Sequence, residues 1–210
     1  MEFTNLHVSA HPAVQHKLAL LRAQDSEPPK FRQLVREISW LVGYEALADA
    51  RVRPLRVTTP LEETDGVKLA DRIGLVPILR AGLGMVDGIL ELYPTARVGH
   101  VGLYRDPGTL KPVEYYCKLP TDLEERELIV VDPMLATGGS VVAALDLIKR
   151  KGGKKLKLLA LIAAPEGIKV VQDAHPDVEI FTAAIDDYLN EHAYIIPGLG
   201  DAGDRLFGTK

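Results

Sequence analysis

The chain has 210 residues, of which 47% are hydrophobic, enough for one domain, residues 1–210, with a full core. A net charge of −4 and a pI of about 5.9 give no general electrostatic reason to expect nucleic acid or an anionic membrane as a partner. The single cysteine, Cys117, excludes an internal disulfide framework and a multi-cysteine metal site. No stretch is apolar enough for a membrane span and residues 1–30 contain no apolar signal core, so we expect a cytoplasmic protein.

The N-terminal region has the pattern of two helices. Pro12 stands where a first-turn proline is tolerated, and apolar residues follow it at helical spacing. A second, longer apolar stripe runs from Phe31 to Leu47 and predicts a helix that ends near Arg51. We expect Trp40 and Tyr44, in or beside this stripe, to be core or subunit contacts rather than ligand contacts.

Residues 54–69 place β-favouring residues on either side of Thr64-Asp65-Gly66. This pattern predicts a hairpin or two short strands, with the turn at those three residues. The segment is also a candidate contact between subunits.

Residues 74–85, GLVPILRAGLGM, predict a strand that ends at Arg80 and a helix that follows it. Pro77 argues against a central strand, because proline cannot donate a hydrogen bond to the ladder. An arginine beside Ala81 and Gly82, whose backbone can approach an anion closely, suits pyrophosphate. The alternative is a solvated arginine that caps a strand.

Residues 96–120 predict a strand with Arg105 at its end and then a long polar excursion. Asp106-Pro107-Gly108 and Lys111-Pro112 are turn sequences, so this excursion is a candidate mobile lid over a site. We expect His100, within the strand, to be structural rather than catalytic.

Residues 128–141, LIVVDPMLATGGSV, combine a short apolar strand, an acid and a loop of small residues. The strand predicts burial in a parallel sheet, which leaves Asp132 at its carboxyl end, where open α/β sheets bind ligands. Residues 136–140, which we call the phosphate loop, have little side-chain bulk, so their N–H groups can enclose a phosphate at the start of the following helix. The loop lacks both the Gly-Lys-Ser/Thr ending of nucleoside-triphosphate loops and the GxGxxG spacing of dinucleotide folds. An ordinary strand–loop–helix turn is the alternative.

Two further apolar strands, at residues 157–164 and 179–185, and a helix around residues 167–174 extend a βαβ series. The glycine-rich segment 193–210, AYIIPGLGDAGDRLFGTK, does not predict regular structure. It could be a surface tail, but the apolar side chains of Tyr194, Ile195, Ile196 and Leu199 would then be exposed to solvent. A packed loop whose backbone faces a ligand fits better.

Four motifs in chain order resemble uracil phosphoribosyltransferases: PILRAG, GLYRD, VDPMLATGGS and YIIPGLGDAGDRLFGTK. Most type I phosphoribosyltransferases have a second acid where Pro133 stands, and the sequence with proline is the variant associated with the uracil enzymes. Ala193 stands where we would expect glycine, which bears only on local backbone geometry.

The resemblance implies an α/β fold with a mainly parallel sheet flanked by helices, N-terminal helices, and a small C-terminal hood formed by about residues 186–210. The implied reaction converts uracil and 5-phospho-α-D-ribose 1-diphosphate (PRPP) to uridine monophosphate (UMP) and pyrophosphate. Mg²⁺ is the expected cofactor, held mainly by PRPP rather than by a protein cage. GTP as an effector and a homo-oligomer, dimer or tetramer, are further implications.

The resemblance also implies site residues. The expected catalytic residues are Arg80, Arg105, Asp132 and Asp201. The expected PRPP contacts are Arg80, Ala81, Gly82, Arg105, Asp132, Pro133, Met134, Leu135, Ala136, Thr137, Gly138, Gly139, Ser140 and Asp201. Uracil is expected to be read mostly by main chain at Ile195, Gly200, Asp201 and Ala202.

Two rival functions stay open on sequence alone. Another base-specific phosphoribosyltransferase would keep the phosphate loop but change the hood. A nucleotide-sensing RNA-binding regulator of pyrimidine genes would need a basic face. The cluster KRKGGKKLK, residues 149–157, is the dense basic segment, but we expect it to be solvated at a helix end and its turn rather than to bind RNA.

Overall fold

The computed structural model describes residues 3–209 except residues 106–111. The predicted lid at Asp106-Pro107-Gly108 and Lys111 therefore lies outside the described residues. The helices of the described part are α1 (Pro12–Arg22), α2 (Pro28–Ala46), α3 (Leu83–Leu92), α4 (Gly139–Arg150), α5 (Pro165–Ala174) and α6 (Ala202–Phe207).

The strands of the same part are β1 (Leu6–Val8), β2 (Val52–Thr58), β3 (Glu63–Leu69), β4 (Arg72–Leu79), β5 (Arg97–Val98), β6 (His100–Arg105), β7 (Pro112–Lys118), β8 (Arg126–Val131), β9 (Met134–Leu135), β10 (Lys155–Ala163), β11 (Glu179–Ile185), β12 (Tyr188–Leu189) and β13 (Ile195–Ile196). The main sheet has the order β1-β11-β10-β8-β4-β6-β7, with β5 beside β4 and β9 beside β10. Its pairings are parallel except that of β6 with β7. This confirms the predicted α/β fold with a mainly parallel sheet.

Helices cover both faces of this sheet. In β8, Ile129 and Val131 join the core that α1, α2, α3 and α6 form, whereas Leu128 and Val130 join the core under α4 and α5. Successive side chains of a strand point to opposite faces, so burial on both faces requires the unbroken apolar run that the sequence shows. The carboxyl ends of β4, β6, β8, β10 and β11 consequently meet at one edge of the sheet, where ligands of such folds bind.

The position of Pro77 contradicts the expectation that it would keep its strand out of the sheet centre. Strand β4 lies between β8 and β6, and Pro77 pairs with Val131. On the other side, β5 pairs with β4 up to Leu75 and β6 begins to pair at Ile78. Pro77 thus falls in the gap between two short neighbouring strands, so no ladder hydrogen bond is lost on that side.

The hairpin forms, but its turn is not where the sequence pattern placed it. Strands β2 and β3 are antiparallel in register from Val52–Leu69 to Thr58–Glu63, so Thr64, Asp65 and Gly66 lie inside β3. The turn is at residues 59–62, where Thr59 Oγ1 accepts hydrogen bonds from the N–H groups of Leu61 and Glu62, at 3.2 and 3.1 Å. A threonine turn next to Pro60 therefore prevails over the Asp-Gly signal.

Two smaller expectations, on the end of α2 and on the basic cluster, were also wrong. Helix α2 ends at Ala46 rather than near Arg51. Trp40 and Tyr44 are 38% and 63% exposed and stack on each other, so they are not core residues, and a subunit contact stays a prediction. In the basic cluster, Lys157 is buried in β10, where it donates to Ala46 O at 2.8 Å and pairs with Glu127 at 2.7 Å. Strand burial fixes its side chain, so it is not solvated.

Candidate active site

Arg80, Ala81 and Gly82 follow β4 and lie directly against the end of β8. A Cβ atom added at Gly82 would lie 2.5 Å from Val131 O and 2.7 Å from Ile78 O, which leaves no room for a side chain. The Gly82 N–H donates to Ile78 O at 2.9 Å, so this glycine serves the approach of two backbone segments. The Leu79–Arg80 peptide bond is cis.

The Arg80 side chain points from this loop toward the C-terminal helix. Its Nη2 lies 4.0 Å from Asp204 Oδ1, and its guanidinium carbon lies 5.7 Å from the centre of the Phe207 ring. The side chain remains 59% exposed, which leaves it accessible to an anion. The structure therefore brings the predicted pyrophosphate arginine next to the predicted hood. Arg105 ends β6 at the same edge, and its side chain lies outside the described part of the structure.

Asp132 follows β8 and has little local compensation for its charge. Although part of the residue reaches solvent, burial of the carboxyl group raises the pKa of Asp132 from 3.8 to about 7. The one hydrogen bond that opposes this shift is donated by the Met134 N–H to Oδ1, at a long 3.4 Å. A ligand that donated hydroxyl hydrogen bonds here would stabilise the ionised form.

The phosphate loop passes from Asp132 into α4, as predicted. Gly138 adopts a φ of +81° just before the helix, a conformation that favours glycine. The first N–H groups of an α-helix have no intrahelical acceptor. They adjoin a cavity of about 80 Å³ lined by Asp132, Met134, Leu135, Ala136, Thr137, Gly138, Ser140 and Val141. Lys149 and Arg150 in the last turn complement the helix dipole at its other end.

Gly167, in the first turn of α5, supports the phosphate loop from behind, which sequence analysis did not foresee. A Cβ atom at this position would lie 2.3 Å from Ala136 O and 2.9 Å from Leu135 O. The sequence placed Gly167 only at a helix start, and its neighbour Pro165 was the one local signal of that start. The contact joins residues about thirty positions apart, so no local pattern reveals it.

The hood contains regular structure, contrary to the expectation from its glycine content. Strands β12 and β13 pair antiparallel, and residues 202–207 form α6. Asp201 caps this helix, since its Oδ1 accepts a hydrogen bond from the Asp204 N–H at 2.8 Å, and Gly208 ends it with a φ of +66°. An acid at the first position and a glycine at the last were therefore the signals of a short helix. The cap engages one oxygen of Asp201, whose predicted contact with PRPP stays a prediction.

Burial in the hood follows the predicted pattern in part. Ile195, Leu199 and Ala202 are 3%, 3% and 4% exposed, whereas Tyr194 is 39% exposed. The segment is therefore packed rather than a surface tail. It presents its backbone beside Arg80, since a Cβ atom added at Gly203 would lie 4.0 Å from Arg80 Nη2.

A family model described as Uracil phosphoribosyltransferase matches residues 8–209. A uracil phosphoribosyltransferase of Symbiobacterium thermophilum is 68% identical over 201 residues, 95% of this chain and 96% of that protein. Another, of Desulfitobacterium hafniense, is 63% identical over 206 residues, 98% of this chain and 99% of that protein. The chain belongs to the uracil phosphoribosyltransferase family.

Solved structures share the fold of this chain. The AQ2163 protein from Aquifex aeolicus superposes with a TM-score of 0.92 at 39% identity and covers 98% of this chain and 99% of that chain. A hypoxanthine-guanine phosphoribosyltransferase from Bacillus anthracis superposes with a TM-score of 0.52 at 13% identity, over 73% of this chain and 78% of that chain, and this likeness shows the fold alone. The resemblance drawn from the four motifs is confirmed, and the relatives favour a member of the uracil family over the RNA-binding regulator.

Ala193 has a backbone conformation that favours glycine, the residue expected at this position from the resemblance to the family. Its φ is +61°, in the left-handed region where a Cβ atom is unfavourable. The turn is held by Asn190, whose Oδ1 accepts hydrogen bonds from the N–H groups of His192 and Tyr194 at 3.0 and 2.9 Å. The local strain does not displace the adjoining Ile195, which remains paired with Leu189.

The residues at the sheet edge are compatible with a metal held mainly by substrate. Among residues 3–105 and 112–209, no group of three or more His, Cys, Asp or Glu side chains is placed to hold a metal ion. Mg²⁺ bound through substrate phosphates needs only one or two carboxylates, and Asp132 and Asp201 lie on the two segments that face this edge.

No helix in the described part of this family member is long and apolar enough to cross a membrane.

Three polar residues that sequence analysis passed over hold the hood of this family member in place: Arg22, Asp186 and Arg205. They lie on α1, after β11 and on α6 respectively. Their partners are distant in sequence, as with Arg22 and Asp186, so composition and periodicity gave no signal for them.

Proposed function

We propose that this chain transfers the 5-phosphoribosyl group of PRPP to uracil, forming UMP and pyrophosphate, a step of pyrimidine salvage. The observation that carries the proposal is the meeting of three segments at one sheet edge: the arginine loop after β4, the phosphate loop after β8, and the hood. Membership of the uracil phosphoribosyltransferase family supports uracil as the base substrate. The proposal treats residues 1–210 as one phosphoribosyltransferase domain.

PRPP is proposed to lie along the edge from β8 to β4. Its 5′-phosphate would bind the N–H groups of the phosphate loop, Ala136 to Ser140, at the start of α4. Asp132 would accept hydrogen bonds from the ribose hydroxyls, which would offset the desolvation of its carboxylate. Arg80 and Arg105 would neutralise the pyrophosphate.

Uracil is proposed to be read by hood backbone at Ile195 and Gly200 to Ala202. Uracil offers two acceptors, O2 and O4, and one donor, N3–H, so two N–H groups and one C=O would match it. Cytosine has an acceptor at N3 and a donor at its amino group, which would leave buried backbone groups unpaired. We expect a preference for uracil of at least about a hundredfold in kcat/KM, at about 1–3 kcal/mol for each mismatched group.

Catalysis would come from orientation and from charge. The arginines favour departure of pyrophosphate, and the phosphate loop holds the 5′ end so that C1 of the ribose faces the base. Binding energy from these remote groups would be used at a ribose that becomes oxocarbenium-like. Mg²⁺, when bound to the pyrophosphate of PRPP, supplies further neutralisation, and Asp132 and Asp201 are the residues that would assist in holding it.

A homo-oligomer is proposed on the exposed hairpin. Its apolar side chains Val52, Leu61 and Val67 are 54%, 95% and 66% exposed, and an isolated two-stranded hairpin is marginally stable in water. Covering these side chains with a second copy would remove them from solvent.

A cytoplasmic location and GTP as an effector also belong to this proposal. Turnover with and without GTP tests the latter.

The deciding experiment is turnover of each nucleobase with PRPP and Mg²⁺, measured as nucleotide monophosphate and pyrophosphate released. UMP formation from uracil with little product from cytosine is expected. Comparable rates with cytosine would mean that the hood does not read the base. A gel shift with transcript leader RNA at physiological salt, run in parallel, tests the regulator: tight binding without UMP formation would replace the proposed function.

A further inference from the structure

A buried ion pair holds both backbone groups of one hood residue. Asp186 is 5% exposed, and its Oδ2 accepts hydrogen bonds from Arg22 Nη1 at 2.7 Å and from the Gly198 N–H at 2.8 Å. Arg22 Nη2 donates to the other carboxylate oxygen, Oδ1. Arg22 Nη1 also donates to Gly198 O at 2.7 Å. The N–H and the C=O of Gly198 are therefore both fixed by the same pair.

A second arginine holds the next residue of the chain. Arg205 Nη1 donates to Leu199 O at 2.8 Å and to Leu21 O at 3.0 Å, the latter at the end of α1. The Arg205 guanidinium lies 4.4 Å from the centre of the Phe31 ring. Residues 198 and 199 are thus attached through side chains to the first two helices of the chain.

These contacts stand immediately before the backbone proposed to read uracil, at Gly200 to Ala202. Gly198 and Gly200 have φ values of +64° and +77°, so this stretch turns sharply between the anchor and the base-reading residues. Apolar burial of Leu199 stabilises the hood but is non-directional. The hydrogen bonds to Gly198 are directional and fix where the following N–H and C=O groups point.

We infer that Arg22 and Asp186 are positioning residues for the uracil subsite. The inference rests on the proposed function. A buried ion pair contributes little net stability, because the cost of removing both charges from water offsets much of their attraction. The role that fits this pair is therefore to fix the position of the Gly198 backbone next to the uracil subsite. The phosphate loop is held by other contacts, from Gly167 and β10, and those contacts involve neither the Arg22 nor the Asp186 side chain.

The test is Arg22→Lys, which keeps the charge and the aliphatic stem. One ammonium group cannot reproduce the planar fork that spans both Asp186 oxygens and Gly198 O. We expect the KM for uracil to rise about tenfold, with the preference for uracil over cytosine falling by a similar factor, because displacements of about 1 Å have effects of this size or larger. The KM for PRPP should change by less than about twofold on the same reasoning.

Asp186→Asn is the second variant. It keeps an oxygen that can accept from the Gly198 N–H but removes the charge that Arg22 binds, and the same split between the two KM values is expected. The matched control is Arg51→Lys in the pair of Arg51 with Asp71, at the amino edge of the sheet. Arg51 Nε donates to Asp71 Oδ1 at 2.8 Å, while the backbone N–H of Arg51, which lysine keeps, donates to Oδ2 at 2.7 Å, so the control replaces the guanidinium of another arginine–aspartate pair far from the hood.

The outcomes separate two failures. If the parent protein forms no UMP from uracil and PRPP, the proposed function fails. If the parent is active but Arg22→Lys changes both KM values equally, changes neither, or changes only kcat, the positioning inference is overturned. It is overturned as well if neither variant shows a folded circular dichroism spectrum, because the pair is then structural, or if Arg51→Lys produces the same split.

Discussion

The phosphate loop and the hood lie at the same edge of the sheet but are held by different kinds of contact. The phosphate loop is short and leads directly into α4, and the residues between β8 and the loop are supported by β10, where the Leu161 and Ala164 N–H groups donate to Pro133 O and Leu135 O. The hood depends on side chains that are distant in sequence, such as Arg22 bound to Gly198 O, 176 positions away. A local pattern therefore predicts the loop, although its supports in β10 and α5 lie about thirty residues further along the chain, whereas the hood depends on contacts between the two ends of the chain.

The largest expected effect comes from Gly167→Ala. Alanine would ordinarily stabilise a helix interior relative to glycine by about 1 kcal/mol. Here its Cβ would meet Ala136 O at 2.3 Å, and backbone on both sides cannot yield easily. We expect kcat/KM for PRPP to fall by about a hundredfold or more and the free energy of unfolding to fall by about 1–3 kcal/mol.

The control for this variant is Gly43→Ala in α2. Its Cβ would lie 3.4 Å from Ile89 Cγ1, an ordinary contact with a side chain. Thermal unfolding and PRPP saturation curves of both variants test whether the phosphate loop depends on its contact with α5. If Gly167→Ala kept the KM for PRPP of the parent, the phosphate loop would not depend on α5.

Arg80→Ala tests whether the arginine loop binds pyrophosphate. The Arg80 side chain is 59% exposed, so its removal should leave thermal stability almost unchanged. Losing one charge-assisted contact worth about 1.5–3 kcal/mol should lower kcat/KM for PRPP by roughly ten- to a hundredfold. Arg105→Ala is expected to act in the same direction.

Arg97→Ala in β5 is the matched control for Arg80→Ala, because the Arg97 side chain is 58% exposed, contacts the Asp122 carboxylate at 3.2 Å and lies outside the hairpin proposed as the subunit contact. Steady-state kinetics with PRPP varied at saturating uracil should show no loss for this control. A variant at Arg80 with the kinetics of the parent would favour the solvated strand cap over the pyrophosphate contact.

Asp132→Asn should lower activity and raise stability together. The folded pKa of about 7 exceeds the unfolded value near 3.8, so the folded protein keeps a proton that the unfolded chain loses between these values. The contribution of Asp132 to stability therefore falls as pH rises through this window, and asparagine avoids that loss. We expect the variant to be more stable than the parent at pH 8, by on the order of 1–4 kcal/mol, and equally stable near pH 4.

Loss of the charge that accepts ribose hydroxyls should lower kcat/KM for PRPP by about ten- to a hundredfold. Activity of the parent with PRPP should also fall as pH decreases below about 7, because the carboxyl group becomes protonated. Melting curves at the two pH values, beside PRPP kinetics, check both statements. Full activity with lower stability would make Asp132 a structural residue.

The difference between loop and hood also explains what the sequence could predict. The strand before Asp132 and the helix after Gly138 follow from adjacent residues, so the phosphate-loop geometry was correct in outline. Pro77 was misjudged because its tolerance depends on where the neighbouring β5 and β6 begin and end. Lys157 was misjudged because its partners, Glu127 and Ala46, come from other parts of the chain.

Ala202→Val probes the hood alone. Ala202 is 4% exposed at the start of α6 and belongs to the apolar core, so two added methyl groups would displace the backbone of the proposed base subsite. We expect kcat/KM for uracil to fall by about tenfold, the effect of a poorly fitted group of this size, with the KM for PRPP little changed. Uracil kinetics like those of the parent would show that this part of the hood does not read the base.

The smallest effect is expected for Ala193→Gly, which should raise the stability of the protein rather than lower its activity. Ala193 has a φ of +61°, where a Cβ atom costs roughly 1–2 kcal/mol, while glycine adds conformational entropy to the unfolded chain. The net gain in the free energy of unfolding should be about 1 kcal/mol or less, which corresponds to about 2–4 °C in Tm for a chain of this size. Because Asn190 already fixes the turn and Ile195 keeps its pairing with Leu189, the KM values for uracil and PRPP should not change. Differential scanning calorimetry of the parent and the variant measures the gain. A lower Tm, or a raised KM for uracil, would show that alanine at this position helps to hold the hood rather than straining it.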